Sequence, residues 1–144
     1  MNVRLISIGK SAPKWIEDAV EEYLTRLRTH MTISTLWTKK EQQFVEIVEK
    51  EDPSSIFLLD ERGKNFKTSK EFSEWFFSRH DAARHKAINF VIGGAEGFPN
   101  PAWKNRYQSI SLSNLTLTHQ MARVVLLEQI YRSVEIEKGT KYHK

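Results

Sequence analysis

The segment AINFVIGGAEG, residues 87–97, is the stretch that decides the fold of this chain. Residues 87–92 form a short apolar run, and three glycines follow within the next five residues. A short apolar run bounded by turn residues is typical of a parallel strand that is covered on both faces. Because helices provide that cover, the segment indicates an α/β protein with a tight turn at the carboxyl end of a buried strand.

The segments on either side continue the alternation of strand and helix. Apolar runs and alternating patterns predict strands at residues 3–8, 32–38, 55–60, 87–92 and 110–112. A first helix is predicted from a Ser11 cap, with Pro13 in its first turn, to about residue 27. Further helices are predicted at residues 39–50, 68–79, 101–107 and 119–137. This order predicts one α/β domain over residues 1–144, with a mostly parallel sheet flanked by helices.

Composition excludes several classes of protein. With 144 residues, 40% of them hydrophobic, and only six glycines and four prolines, the chain is neither collagen-like nor disordered. The absence of cysteine excludes disulfide frameworks, thiolate metal sites and cysteine nucleophiles. No window approaches 18 apolar residues and the start does not resemble a signal peptide, so we expect no membrane span and a cytoplasmic location. A net charge of +4 makes nucleic acid a candidate partner only.

Two glycine motifs differ from the standard phosphate-binding loops. Gly9-Lys10-Ser11 would need a glycine at position 4 to complete a P-loop, and Arg4 stands there. The turn at 93–97 lacks the G-x-G-x-x-G spacing of dinucleotide-binding proteins. Its glycines therefore either form a tight turn or let a ligand approach the main chain. The five histidines show no i, i+4 pair, so no metal site is predicted.

Ligands of parallel sheets bind beyond the carboxyl ends of the strands. The loops after Leu59, Ile92 and Leu112 are therefore the expected location of a site. Residues 112–117, with the sequence LSNLTL, are unusually apolar for an exposed loop. Either the protein core or a flat apolar ligand such as an adenine ring is expected to cover them.

The end of the chain combines charge with aromatic rings. Lys138, Lys141 and Lys144 accompany Tyr142 and His143, a mixture that holds phosphates and stacks on bases. Chain ends often fray, so the residues alone leave this interpretation open.

Polar residues in the last helix need partners because apolar side chains surround almost its whole circumference. Arg123 must be paired, face a polar cleft, or form an ion pair across a dimer. Glu128 and Arg132 lie at i, i+4 and can satisfy each other.

Taken in order, these segments resemble the ribosomal large-subunit pseudouridine methyltransferase H (RlmH) family of the SPOUT superfamily. The resemblance runs along the whole chain. The matching segments are the first strand with Gly9, residues 15–23, 58–60 with Gly63, 90–97 and 111–117, then His119, residues 123–132 and Tyr142-His143-Lys144.

The resemblance implies a C-terminal trefoil knot that holds S-adenosylmethionine, and methyl transfer to N3 of a pseudouridine in 23S rRNA of the assembled ribosome, with no metal. By position, the family's cofactor-binding residues correspond to Leu59, Gly93, Leu112, Ser113, Asn114, Leu115, Thr116 and Leu117. Our hypotheses for catalysis are His143 assisting loss of the N3 proton, Tyr142 orienting the base, and Arg123 offsetting negative charge. RNA contacts are expected from Lys141, Lys144 and His119.

Two other functions remain open at this point. One is a ribosome- or RNA-binding protein with the same fold that transfers no methyl group. The other is an enzyme of small nucleotides, although the chain lacks a phosphate loop and the basic tail would then have no role.

We predict a homodimer through the last helix. Each large apolar side chain left exposed would forgo about 1.5 to 3 kcal/mol, so a second copy of the chain is the simplest cover. The alternative is that helices of the same chain provide it. Sedimentation at micromolar concentration is expected to give the mass of a dimer, and a monomer would reject the prediction.

Overall fold

Five strands lie side by side in one sheet, and every neighbouring pair is parallel. The computed structural model describes residues 1–9, 12–84 and 86–144. In chain order its strands are β1 (Asn2–Ile8), β2 (Thr32–Thr38), β3 (Ile56–Lys64), β4 (Ile88–Ile92) and β5 (Gln108–Ile110). Its helices are α1 (Lys14–Leu27), α2 (Glu41–Glu49), α3 (Ser69–Ala83), α4 (Trp103–Arg106) and α5 (His119–Lys138). The sheet order is β2-β1-β4-β3-β5. The predicted α/β architecture with a mostly parallel sheet is confirmed.

Helices cover both faces of the sheet. On one face, α1, α3 and α5 pack on alternate residues of the strands, and their core includes Leu27, Phe76 and Leu127. On the other face, α2 and α4 bring Phe44 and Trp103 together over β3 and β4. All five residues of β4 are buried, as the apolar run that contains them predicts. Burial on two faces agrees with the position of β4 as the central strand of the sheet.

Local signals mark three of the helix ends, and one prediction at α1 is corrected. The hydroxyl groups of Thr68 and Thr118 accept hydrogen bonds from main-chain N–H groups in the first turns of α3 and α5. Gly139 ends α5 in the left-handed conformation. The prediction that Pro13 lies inside the first turn of α1 is wrong, because Pro13 has extended backbone and precedes the helix. The Ser11 cap lies outside the described residues.

The position of β5 is a second correction. The apolar pattern predicts a strand at 110–112, whereas β5 spans Gln108–Ile110. Gln108 and Ser109 pair with β3 although their side chains are polar. Polar side chains are tolerated there because only one side of this short edge strand is covered. The pairing ends where the N–H of Ser111 donates to the carbonyl of Lys64 at 2.8 Å. Residues 111–118 therefore lead directly from the sheet edge to α5.

α5 lies against α1 and α3 of the same chain. Leu126, Leu127 and Ile130 are fully buried there. Val124 and Tyr131 remain partly exposed, so the chain's own helices cover one part of the apolar circumference. The homodimer stays a prediction, as does the knot. No helix among residues 1–9, 12–84 and 86–144 is long and apolar enough to span a membrane.

Gly63 lets β3 approach β5 closely. A Cβ atom at this position would lie 2.6 Å from the main-chain nitrogen of Ile110, which is closer than real Cβ atoms come. We therefore expect Gly63→Ala to lower the free energy of unfolding by about 1 to 3 kcal/mol, as other overpacked substitutions do. Urea denaturation measures the change. The control is Asn65→Ala, at an exposed neighbouring position, which is expected to change the free energy of unfolding by no more than about 0.5 kcal/mol. Equal stability of both variants would contradict this account.

Candidate active site

A cavity of about 600 Å³ opens at the carboxyl edge of the sheet. Three segments form most of its wall: residues 59–62 in the irregular second half of β3, residues 92–98 at and after the end of β4, and residues 112–117 before α5. Pro101, Lys104 and, from the first turn of α5, His119 and Ala122 complete it. The prediction of a loop after Leu59 is wrong, because β3 continues to Lys64 with a register shift between Leu59 and Lys64. This irregular part of β3 and the loops after Ile92 and Leu112 meet around one cavity.

The turn after β4 is both a tight turn and a cavity wall. Gly94 and Gly97 exchange two main-chain hydrogen bonds, of 3.3 Å and 3.0 Å, which close a small hairpin. Gly93 lies directly beneath it. A Cβ atom on Gly93 would come within 2.8 Å of the carbonyl oxygen of Gly97. Glycine is therefore required for the packing of the turn, and the turn presents main chain to the cavity.

The loop at 112–117 is held in shape by its own hydroxyl groups. Ser111 donates to the carbonyl of Ser113 at 2.8 Å, and the Ser113 hydroxyl accepts from the N–H of Leu115 at 2.9 Å. The hydroxyl of Thr116 donates to the carboxylate of Glu61 at 2.6 Å, which links this loop to the second half of β3. The predicted cofactor residues of the loop line the cavity except for Asn114, which is exposed and lies outside the lining.

Leu115 is the least covered large apolar side chain among the described residues. It is 76% exposed at the rim of the cavity. Leu112 and Leu117, by contrast, pack partly against the core. The core therefore covers only the two ends of this apolar loop, and its middle is available to a ligand or a partner.

One carboxylate and one ammonium group face each other at the cavity mouth. Lys104 lies 3.4 Å from Asp60. Burial opposes ionisation of Asp60, but the N–H of Arg62 and the charge of Lys104 lower the pKa of its carboxyl group below the ordinary value. Asp60 is therefore a carboxylate at neutral pH. Among the described residues, no three acidic or histidine side chains come together as metal ligands.

Arg123 is buried, and no carboxylate among the described residues pairs with it. It is 2% exposed, and its Nε and Nη2 atoms donate to the hydroxyl of Ser7 at 3.2 Å and 2.9 Å. Its guanidinium carbon lies 4.0 Å from the centre of the Trp37 ring, a cation–π contact. Burial lowers the pKa of the guanidinium from its ordinary value. Of the predicted alternatives, a partner within the same chain is found, and it is polar and aromatic rather than acidic.

His119 lies between the cavity and Arg123. It lines the cavity and begins α5, one turn before Arg123. Burial, followed by the positive charge of Arg123, lowers the pKa of its imidazole from the ordinary value. His119 is therefore neutral at pH 7 and can form hydrogen bonds or stack on a ligand without a positive charge.

The tail lies far from its own cavity. The hydroxyl of Tyr142 donates to Glu128 at 3.1 Å, and a ring nitrogen of His143 is 3.1 Å from Arg132. Glu128 and Arg132 also form the ion pair that their spacing predicts. Arg132 lies 13 residues after His119 on the same helix, which is about 20 Å along the axis. The structure thus brings His119 to the cavity and places Tyr142 and His143 beside Glu128 and Arg132, farther along α5.

Sequence reasoning missed Ser7, Trp37 and Glu61. Ser7 and Trp37 are paired neighbours on β1 and β2, yet they meet Arg123 only through the fold, across 116 and 86 residues of chain. No local pattern marks them. Glu61 stands in a run of turn residues, and its bond to Thr116 also has no signal in the sequence.

Comparisons with known proteins extend over the whole chain. A family model described as "Predicted SPOUT methyltransferase" matches residues 1–143. Three proteins named Ribosomal RNA large subunit methyltransferase H are similar: those of Protochlamydia amoebophila (44% identical), Geobacter sp. strain M21 (36%) and Bacillus cytotoxicus (35%). The matches cover 100%, 99% and 100% of this chain, and 99%, 99% and 100% of the three proteins.

The Arg123 charge makes a testable contribution to His119. In Arg123→Gln, we expect the pKa of His119 to rise toward its ordinary value, because the repulsion that lowers it is removed. In the unchanged protein the folded pKa is the lower one, so the unfolded chain binds the proton first and stability falls as pH drops below about 6.5. NMR titration of the imidazole measures the shift.

The exposed Arg28→Gln is the control and leaves the His119 titration unchanged. An unchanged titration in Arg123→Gln as well would show that the guanidinium does not influence His119.

Proposed function

Because the chain belongs to the SPOUT methyltransferase family, we propose that it transfers a methyl group from S-adenosylmethionine to large-subunit ribosomal RNA. The acceptor we propose is N3 of a pseudouridine in 23S rRNA of the assembled ribosome. The observation that carries the proposal is the cavity where residues 59–62, 92–98 and 112–117 meet. Relatives whose names state an rRNA methyltransferase match this chain over nearly its whole length.

The residues around the cavity fit this cofactor. Leu59, Leu112 and Leu117 provide apolar walls for an adenine ring, and the hairpin above Gly93 allows main chain to approach a ligand. A cavity of about 600 Å³ lies within the range of small-molecule sites. When bound, S-adenosylmethionine supplies a methyl group that is already activated on a sulfonium. The protein then has to position the acceptor, and positioning is worth up to about 7 to 11 kcal/mol.

The proposed catalytic roles belong to the tail and to Arg123. His143 assists the loss of the N3 proton. Burial, and then the negative charge of Glu128, raise the pKa of Tyr142 above its ordinary value, so Tyr142 stays protonated and orients the base rather than accepting its proton. Arg123 offsets the negative charge that develops on the base. Lys141 and Lys144 are exposed and hold RNA phosphates, and His119 contacts the RNA at the cavity.

These roles require a second protomer. His143 contacts Arg132, which lies about 20 Å along α5 from His119 at the cavity. We therefore propose a homodimer in which each tail completes the cavity of the partner. The incomplete cover of α5 and the exposed Leu115 support this arrangement.

Methyl transfer to ribosomes tests the function. Ribosomes from a strain lacking the enzyme are incubated with the protein and labelled S-adenosylmethionine, and mass spectrometry of the 23S rRNA is expected to show a methylpseudouridine. His143→Ala is expected to slow transfer by about 100-fold or more, the usual contribution of a general base, without changing cofactor affinity. Binding of ribosomes without any transfer would favour the alternative of an RNA-binding protein.

Subunit complementation tests the shared site. Gly93→Val blocks the cavity and His143→Ala disables the tail, so each variant alone is expected to be inactive. In mixed dimers one cavity is intact and receives an intact tail, and random mixing is expected to restore about a quarter of the activity. The control is a homodimer in which both chains carry both substitutions. No recovery in the mixture would place the tail in its own protomer's site or outside the reaction.

A further inference from the structure

Trp37, Lys39 and Lys40 form an exposed group at the carboxyl end of the edge strand β2. Trp37 is 38% exposed although it lies within β2, a half-buried strand. Lys39 and Lys40 come directly after it and are exposed. Within the part of the chain that the structure describes, no carboxylate lies within 4.0 Å of either ammonium group. We call these three side chains the Trp37 platform.

The ring of Trp37 is held in place from behind. Ser7 and Trp37 are register partners on β1 and β2, and Arg123 contacts both. The guanidinium donates to the Ser7 hydroxyl and lies 4.0 Å from the centre of the Trp37 ring. One face of the indole is therefore covered by a buried cation. A ring that is already ordered loses little further conformational freedom when a flat ligand contacts its exposed part.

The platform lies beside the cavity. Arg123 follows His119 by one helical turn, about 6 Å along α5, and His119 lines the cavity. Trp37 contacts Arg123 from the side of β2, whereas the cavity opens on the side of β4 and β3. A polymer with one unit in the cavity can thus extend across the first turn of α5 to the platform.

We propose that the Trp37 platform binds unpaired RNA beside the modified nucleotide. This inference rests on the proposed function. A base stacks on the exposed part of Trp37, and the flanking phosphates contact Lys39 and Lys40. Exposed single tryptophans are common and carry no meaning alone. Here a fixed ring is followed within three residues by two lysines that form no ion pair among the described residues, which is the combination of stacking surface and positive charge that single-stranded nucleic acid requires.

Binding to ribosomes that lack the modification tests the platform. The double variant Lys39→Ala, Lys40→Ala is expected to weaken binding and to lower the slope of log affinity against log salt by about 1.4 to 1.8, for two phosphate contacts. Trp37→Leu is expected to weaken binding roughly 5- to 150-fold, the range for loss of one stacked base. Trp37→Phe keeps a ring over Arg123 and is expected to retain most of the affinity.

Lys50→Ala is the matched control. Lys50 is equally exposed but caps the other end of α2, away from the cavity edge, and its loss is expected to change affinity less than twofold. Calorimetry is expected to give the same S-adenosylmethionine affinity for all variants, because none of the changed residues lines the cavity.

Two results would overturn the inference. One is ribosome affinity that is unchanged in the double variant and in Trp37→Leu. The other is dissociation of dimers by Trp37→Leu with no effect of the lysines, which would assign the platform to subunit contact. Failure of the proposed function gives a different result from failure of this inference. If the proposed function is wrong, the wild-type protein transfers no methyl group, and the binding measurements still test whether the Trp37 platform binds RNA.

Discussion

The hydrogen bonds between Arg123 and Ser7 hold the first turns of α5 against β1, at the carboxyl edge of the sheet. β5 is an edge strand, and β3 and β4 separate it from β1. The chain must therefore cross about 14 Å, three strand spacings, between the end of β5 and the first turn of α5. Residues 111–118 make this crossing over the ends of β3 and β4. Because of this path, the connection between β5 and α5 forms one wall of the cavity.

The same constraint gives the loop its unusual composition. A connection that passes over the end of a sheet has protein below it at both ends and open space at its middle. Leu112 and Leu117 accordingly pack toward the core, while Leu115 does not. The Thr116 bond to Glu61 and the hydrogen bonds of Ser113 fix the segment without filling the space beneath it. Short polar side chains thus hold the loop in its conformation, and its apolar side chains remain available to contact a ligand.

Much of this arrangement is predictable from the sequence, and the limits have physical reasons. The strand at 88–92 and the helix that begins at His119 are marked by apolar periodicity, by the Thr118 cap and by the Gly139 end, which are local signals. The meeting of three segments follows from the parallel sheet. The contact of Arg123 with Trp37 could not be predicted, because nothing local relates residues 86 positions apart. The prediction of a strand at 110–112 is wrong because the residues of β5 are mostly polar, and an edge strand of this kind shows no apolar pattern.

A crystal structure of the protein with S-adenosylmethionine tests the central claim most directly. The account predicts the cofactor in the cavity, with its adenine against Leu59, Leu112 and Leu117 and its polar edge on the main chain near Gly93. The cofactor bound at another surface, or this cavity filled by side chains in the complex, would contradict the account.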